Sequence, residues 1–202
     1  MESLHYPQFD PEHSHVHVAL LRGVTNAAAL KSRIIAASTT EGEFGEKERE
    51  AVNFAFIDAR LITSKLHLET ATFQAILAES QGGLRTRTVH SEILYNLNPT
   101  HNITEAIRRY GVSENNTDVL VVRIGSQDLV PSVVEERMKE VVSGNLVPLS
   151  ELQDVTDWSS VKKYYKLNND PAVKEASKDL KKERVIVDNI VVSSVAMKSV
   201  MQ

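Results

Sequence analysis

Val119-Leu120-Val121-Val122-Arg123-Ile124 is nearly continuous in apolar residues. A strand with one wet face alternates; a run without alternation needs cover on both faces, so this segment predicts the central strand of a layered fold. Upstream, Val16-His17-Val18-Ala19-Leu20-Leu21 alternates and then turns wholly apolar, which reads as a strand. Thr25 then offers an N-cap oxygen to a helix over Ala27 to Ala37, with Leu30, Ile34 and Ala37 on one face. Asn53 to Asp58 and the helix from Ser64 to about Ser80 repeat the strand–helix order. A short helix capped by Ser91 ends at Pro99, and another, capped by Asn102, runs from Ile103 to Tyr110 with Gly111 closing it in the left-handed region.

Downstream, Pro131 starts a helix to about Val142, Leu146 to Leu152 predicts a short edge strand, and the last third reads as helical. The sum is an α/β (α+β) chain: a small mixed sheet with helices packed around it, one domain over residues 1–202. Residues 38–50 stand apart. Five Glu with Lys47, Arg49, Gly42 and Gly45 surround one large apolar side chain, Phe44, and predict an acidic loop inserted between strand–helix units.

Composition narrows the function. At 42% apolar and 25% charged, 202 residues suffice to bury a sizeable core. The absence of cysteine excludes disulfides, thiolate zinc sites and cysteine nucleophiles. A net charge of -4 excludes a whole-protein field that would draw in nucleic acid or an anionic membrane, so any such contact is local. No apolar run reaches the roughly 18 residues of a membrane span, and MESLHYPQFD lacks the basic-then-apolar order of a signal peptide, so the expected location is nucleus and cytoplasm with no membrane partner.

Catalytic motifs are lacking. The sequence holds no G-x-S-x-G, H-E-x-x-H or G-x-G-x-x-G, and no cofactor is implied. His13-x-His15-x-His17 places imidazoles at alternate positions of an extended chain, the raw material of a small-molecule or metal-dependent enzyme; without visible orienting partners it reads as a non-binding cluster, and no metal is expected. Arg85-Thr86-Arg87-Thr88 sets two guanidinium groups beside hydroxyls and the expected helix starts at Ser91 and Asn102, a combination suited to a phosphodiester. In the last helix Val185-Ile186-Val187 and Ile190-Val191-Val192 wrap most of the way around the axis, so the helix is either central in the fold or covered by a partner.

From Arg85 to Pro99, then Asn102-Ile103-Thr104-Glu105-Ala106-Ile107 and Tyr110-Gly111-Val112, the chain closely resembles the TPRKB family, the PRPK-binding subunits of the KEOPS (EKC) complex. Phe56-Ile57-Asp58, Val161-Lys162-Lys163-Tyr164-Tyr165-Lys166-Leu167 and Asp188-x-Ile190 keep their places in the same pattern; Asn98 stands where the family usually has Ser, and Ala59 where it often has Pro. The resemblance implies a non-catalytic subunit that grips the small atypical kinase of KEOPS directly and the other subunits indirectly. It supports threonylcarbamoyl-adenosine modification of tRNA, with tRNA as a further contact. On that basis Val187, Ile190, Val191 and Ser194, helped by Leu68 and Ala71, are the expected kinase-binding residues. Arg85, Arg87, Asn98 and Asn102 are the expected tRNA-binding set.

Overall fold

The computed structural model describes residues 1–200. In chain order the elements are β1 (Glu2–His5), β2 (His15–Arg22), α1 (Ala27–Thr39), α2 (Gly42–Ala51), β3 (Ala55–Asp58), α3 (Lys65–Ser80), α4 (Val89–Leu97), α5 (Ile103–Tyr110), β4 (Asp118–Gly125), α6 (Pro131–Val141), β5 (Asn145–Val147), α7 (Leu152–Val155), α8 (Trp158–Tyr164), α9 (Pro171–Ala176) and α10 (Leu180–Met197).

The sheet runs β1-β2-β4-β3, with β5 pairing β2 beyond the end of β1. β4 is central, as its unbroken apolar run requires. The register carries from His15 opposite Gly125 to Arg22 opposite Asp118 along the whole of β2. Every pairing among the strands is antiparallel, which corrects the expected mixed sheet. β2 and β3, the strands that open successive strand–helix units, do not pair, because β4 lies between them and opposes both.

Both sheet faces are covered. Val16, Val18, Leu20, Ile57, Leu120 and Val122 meet α3 and α4 residues such as Ala71, Ala75, Ile76 and Ile93. Their odd-numbered neighbours Ala19, Leu21, Val119 and Val121 face Leu30 of α1 and Val134 and Met138 of α6. A third apolar cluster, Val161, Leu167, Val173, Val187 and Val191, knits α8, α9 and α10 together outside the α3–α4 layer. α10 is held against both α9 and α3.

Several local expectations are revised. Residues 42–51 are a helix, α2, and not a loop. Glu, Lys and Arg are good helix formers, and the segment docks on α1 through polar contacts that hydrophobic periodicity does not register. Arg33 grips Glu48 through Nε (2.8 Å) and Nη2 (3.2 Å), and Arg49 donates to the Thr40 carbonyl at 2.7 Å. Gly45 is buried there because a Cβ would overlap that carbonyl. Gly111 has φ -72°, outside the left-handed region; its lack of a side chain serves clearance from the Ile107 carbonyl. Thr25 does not cap α1: its amide and hydroxyl meet Ser143, while Asn26 accepts from the Ser143 amide at 2.9 Å. α4 starts before Ser91, capped by Thr88 in a reciprocal pair with Ser91. The strand expected over Leu146–Leu152 stops at Val147, ahead of Pro148.

Of two buried histidines, one ties a helix to the sheet and the other braces the turn that leads into α3. His90 Nε2 accepts the Ile124 amide at 2.9 Å, joining α4 to the end of β4. His67 Nδ1 accepts from the Thr63 amide at 3.3 Å and faces its hydroxyl at 3.1 Å. Burial drives both imidazoles down to about 3, so they are neutral in the folded chain and charge near 6.5 once unfolded. The unfolded state therefore takes up protons that the folded state refuses, and stability falls as pH drops from about 6.5 towards 3. Each residue contributes up to about 5 kcal/mol over that window. His90→Gln, which retains an acceptor but does not titrate, is expected to flatten the acid limb of a melting-temperature-against-pH profile; an unchanged limb would show that His90 is not its source.

Candidate functional site

α10 begins where Asp179 accepts the amides of Lys181 and Lys182 at 3.0 and 3.2 Å. Helical rotation then sorts its apolar residues into two sets. Val187, Val191 and Val195 form an inward spine, the first two in the α8–α9 cluster and the third in the main core. Of the expected kinase contacts, Val187 and Val191 are thus fully covered by the chain itself. Leu68 and Ala71 likewise lie in the core under α10. These four are corrected from contact residues to the surface that seats the helix: the same apolar types serve an interior and an interface, and only packing tells them apart. Ile190 and Ser194 are half-buried at the rim of the spine, with Ile190 packed against the α8–α9 cluster. The outward set is Val185, 59% exposed, with half-buried Val192 and exposed Met197, while half-buried Ile186, like Ile190, packs against the α8–α9 cluster.

Both ends of α10 are fastened. Near its start Lys162 Nζ meets Glu183 Oε1 at 2.5 Å, and the Arg184 guanidinium lies 5.4 Å from the Trp158 ring. At its end Lys198, a buried residue, turns its ammonium onto the last carbonyls of α4 and the turn after it: Tyr95, Asn98 at 2.6 Å and Thr100 at 3.0 Å. Three donors meet three acceptors, at the helix end where the macrodipole favours a cation. Burial pulls Lys198 down to about 8, and it also sits 3.8 Å from the Tyr95 ring centre. Tyr165 completes the set by donating to the Leu97 carbonyl at 2.6 Å. Sequence reasoning missed Lys198, although its spacing after Val191 and Val195 continues the buried spine.

The arginine strip is held in shape by Glu92, another buried residue that the sequence gave no reason to single out. Its carboxylate accepts the amides of Arg85 (3.0 Å) and Thr86 (2.8 Å) and the Thr86 hydroxyl (2.7 Å). The backbone of the strip is fixed while the side chains of Arg85 and Arg87 stay exposed. Between this strip and the end of α10 lies a cleft of about 260 Å³ lined by Gln74, Gln81, Arg85, Glu92, Tyr95 and Lys198. Asn98 is corrected: it is 0% exposed, donates to Thr100 Oγ1 at 2.8 Å and accepts from Arg109 at 3.3 Å, so it builds the α4–α5 turn and presents nothing to a nucleic acid. Asn102 is exposed, with its Oδ1 accepting the Glu105 amide at 2.9 Å. The two helix starts lie at opposite ends of α4: Thr88 caps it beside Arg87, and Asn102 follows its far end, the nine-residue helix itself being about 13 Å long.

The histidine triplet disperses. His13 sits in the turn before β2 with Nε2 3.9 Å from Glu79. His15 stacks on His5 across the β1–β2 pair at 4.4 Å, and His17 is buried with Nδ1 2.8 Å from Ser3 Oγ. Among the described residues no group of three or more His, Cys, Asp or Glu is placed to hold a metal ion, and no helix is long and apolar enough to cross a membrane.

Comparison with known proteins places this geometry. The family model for the kinase binding protein CGI-121 matches residues 21–199. The EKC/KEOPS complex subunit CGI121 of Cryptococcus neoformans is 35% identical over 96% of this chain and all of its own length. The subunit of the same name from Neurospora crassa is 36% identical over 93% of this chain and 94% of its own. That from Candida albicans is 29% identical over 83% and 85%. The helix with an apolar outward face and the Arg85–Pro99 block both lie inside the matched region, and the chain belongs to the CGI-121 family of kinase-binding proteins.

Proposed function

We propose that this chain is a non-catalytic subunit of an EKC/KEOPS complex and binds the complex's small kinase/ATPase through the outward face of α10. The observation that carries the reading is that face itself: Val185, Val192 and Met197 remain on the outside of a helix whose inner spine is already satisfied. Apolar side chains gathered on one face of a rigid, fastened helix suit a groove-docking partner. The relatives' assignment to EKC/KEOPS supplies the partner's class. A non-catalytic role fits the use made of the buried histidines, which hold the fold together in neutral form.

Support for threonylcarbamoyl-adenosine modification follows from membership of such a complex. Contact with tRNA is assigned to Arg85 and Arg87, whose exposed guanidinium groups are presented by a loop that Glu92 has already ordered, so little entropy is lost on binding phosphate.

Val185→Glu is expected to reduce kinase capture at least tenfold in a pull-down or calorimetric titration while the far-ultraviolet circular dichroism stays unchanged, because the residue is exposed. Ile190→Glu should also lose the kinase, and it should melt lower, because it introduces a carboxylate at the edge of the α8–α9 cluster. Normal binding by both variants would remove α10 from the interface.

For RNA, Arg85→Glu combined with Arg87→Glu should weaken tRNA binding by the assembled complex and make log K against log salt shallower by roughly 1–2 units. Equal affinity and slope at low salt would exclude the strip.

A further inference from the structure

Asp188 occupies an unusual place on α10. It stands three residues after Val185 and four before Val192, so the three share one stripe, with the carboxylate between two apolar side chains. The residue as a whole is half-buried, and its Oδ1 is sealed from water with no hydrogen-bond partner. The helix offers it no cation. Arg184, one turn earlier and in the position from which a basic residue ordinarily pairs, is turned onto the Trp158 ring, and the residue one turn later is Val192. α3 and α10 run in parallel here, since Gln74 donates to the Ala196 carbonyl while Leu77, Ala78 and Gln81, further along α3, share a cleft with Lys198 and Ser199.

A carboxylate already stripped of part of its hydration, on a face that a partner covers, loses the rest when that partner closes. Covering it with apolar surface would cost several kcal/mol, enough to oppose binding. We infer that Asp188 is the polar anchor of the kinase-docking face and that the kinase brings to it a cationic side chain, most suitably an arginine guanidinium, flanked by apolar contacts to Val185 and Val192. Arginine suits the site because it is weakly hydrated and always charged, so it loses less than an ammonium on entering a partly dry face. Such an anchor fixes register along a helix whose outward apolar residues are interchangeable with one another, and it selects against a partner lacking the cation. The inference rests on the docking reading of α10 and adds the chemistry that the partner must present.

The test uses the full chain and the purified kinase subunit of its own complex, with wild type, Asp188→Asn and Val185→Glu compared by calorimetric titration at two salt concentrations. Asp188→Asn is expected to bind at least tenfold more weakly than wild type, to lose most of the salt dependence that wild-type binding shows, and to melt no lower than wild type, since it removes an unpaired charge. If Asp188→Asn binds within twofold of wild type while Val185→Glu does not bind, the kinase docks on this face without using Asp188, and the inference falls while the docking reading stands. If Val185→Glu also binds normally, the docking reading falls and takes the inference with it. If Asp188→Asn melts several degrees lower, Asp188 belongs to the internal structure and the inference is overturned.

Discussion

The β2–β4 ladder is the constraint on which the rest of the molecule depends. Eight residues of β2 pair along their whole length with β4, and the pleat of that pair divides the interior into two apolar sets. A shift of one residue would exchange the sets and send Val16, Val18 and Leu20 to the wrong helices. Because both faces are apolar, both must be covered: α1 and α6 close one, α3 and α4 the other. An antiparallel sheet usually leaves one face to water. Here, covering both makes α3 an interior element, and α10 can then pack on the outer side of α3 and keep an outward face of its own.

The proposed binding surfaces are held in shape by polar groups bonded within the chain. Lys198 and Tyr165 satisfy the carbonyls at the end of α4, Glu92 gathers the amides of the arginine strip, and Glu183 with Lys162 fixes the start of α10. α4 is common to two of these arrangements: its C-terminal carbonyls hold the end of α10, and its Glu92 holds Arg85 and Thr86. The proposed protein-binding helix and the proposed RNA-binding loop are therefore mounted on one rigid support. Pre-ordering of this kind lowers the entropy cost of binding, which suits the proposed role.

Much of this was legible along the chain. The central strand at Val119–Ile124, the strand at Val16–Leu21, the helices after Ser64 and Asn102 and the over-apolar last helix follow from local patterns, because the period of apolar residues and the chemistry of caps act over a few residues. The resemblance carried by Arg85–Pro99 pointed to the same complex as the relatives. Helix α2 was not legible: Glu48 and Arg49 matter through Arg33 and the Thr40 carbonyl on the preceding helix, and a row of charges has no apolar period to announce it.

The sequence by itself determined that the chain is a layered α/β protein with a surplus of apolar surface on its last helix and a short exposed basic strip, since these depend on residue types and their spacing. Tertiary structure alone decided which side of that helix is spent. Val187 and Val191 face inward and Val185 and Val192 outward, although all four are valines within two turns, because α8, α9 and α3 already occupy one side. It also decided that Asn98 is an internal brace, and that Lys198 and Glu92 are structural charges. A side chain's partners can lie a hundred residues or more away along the chain, as Lys198 and Asn98 do, and local pattern carries no record of them.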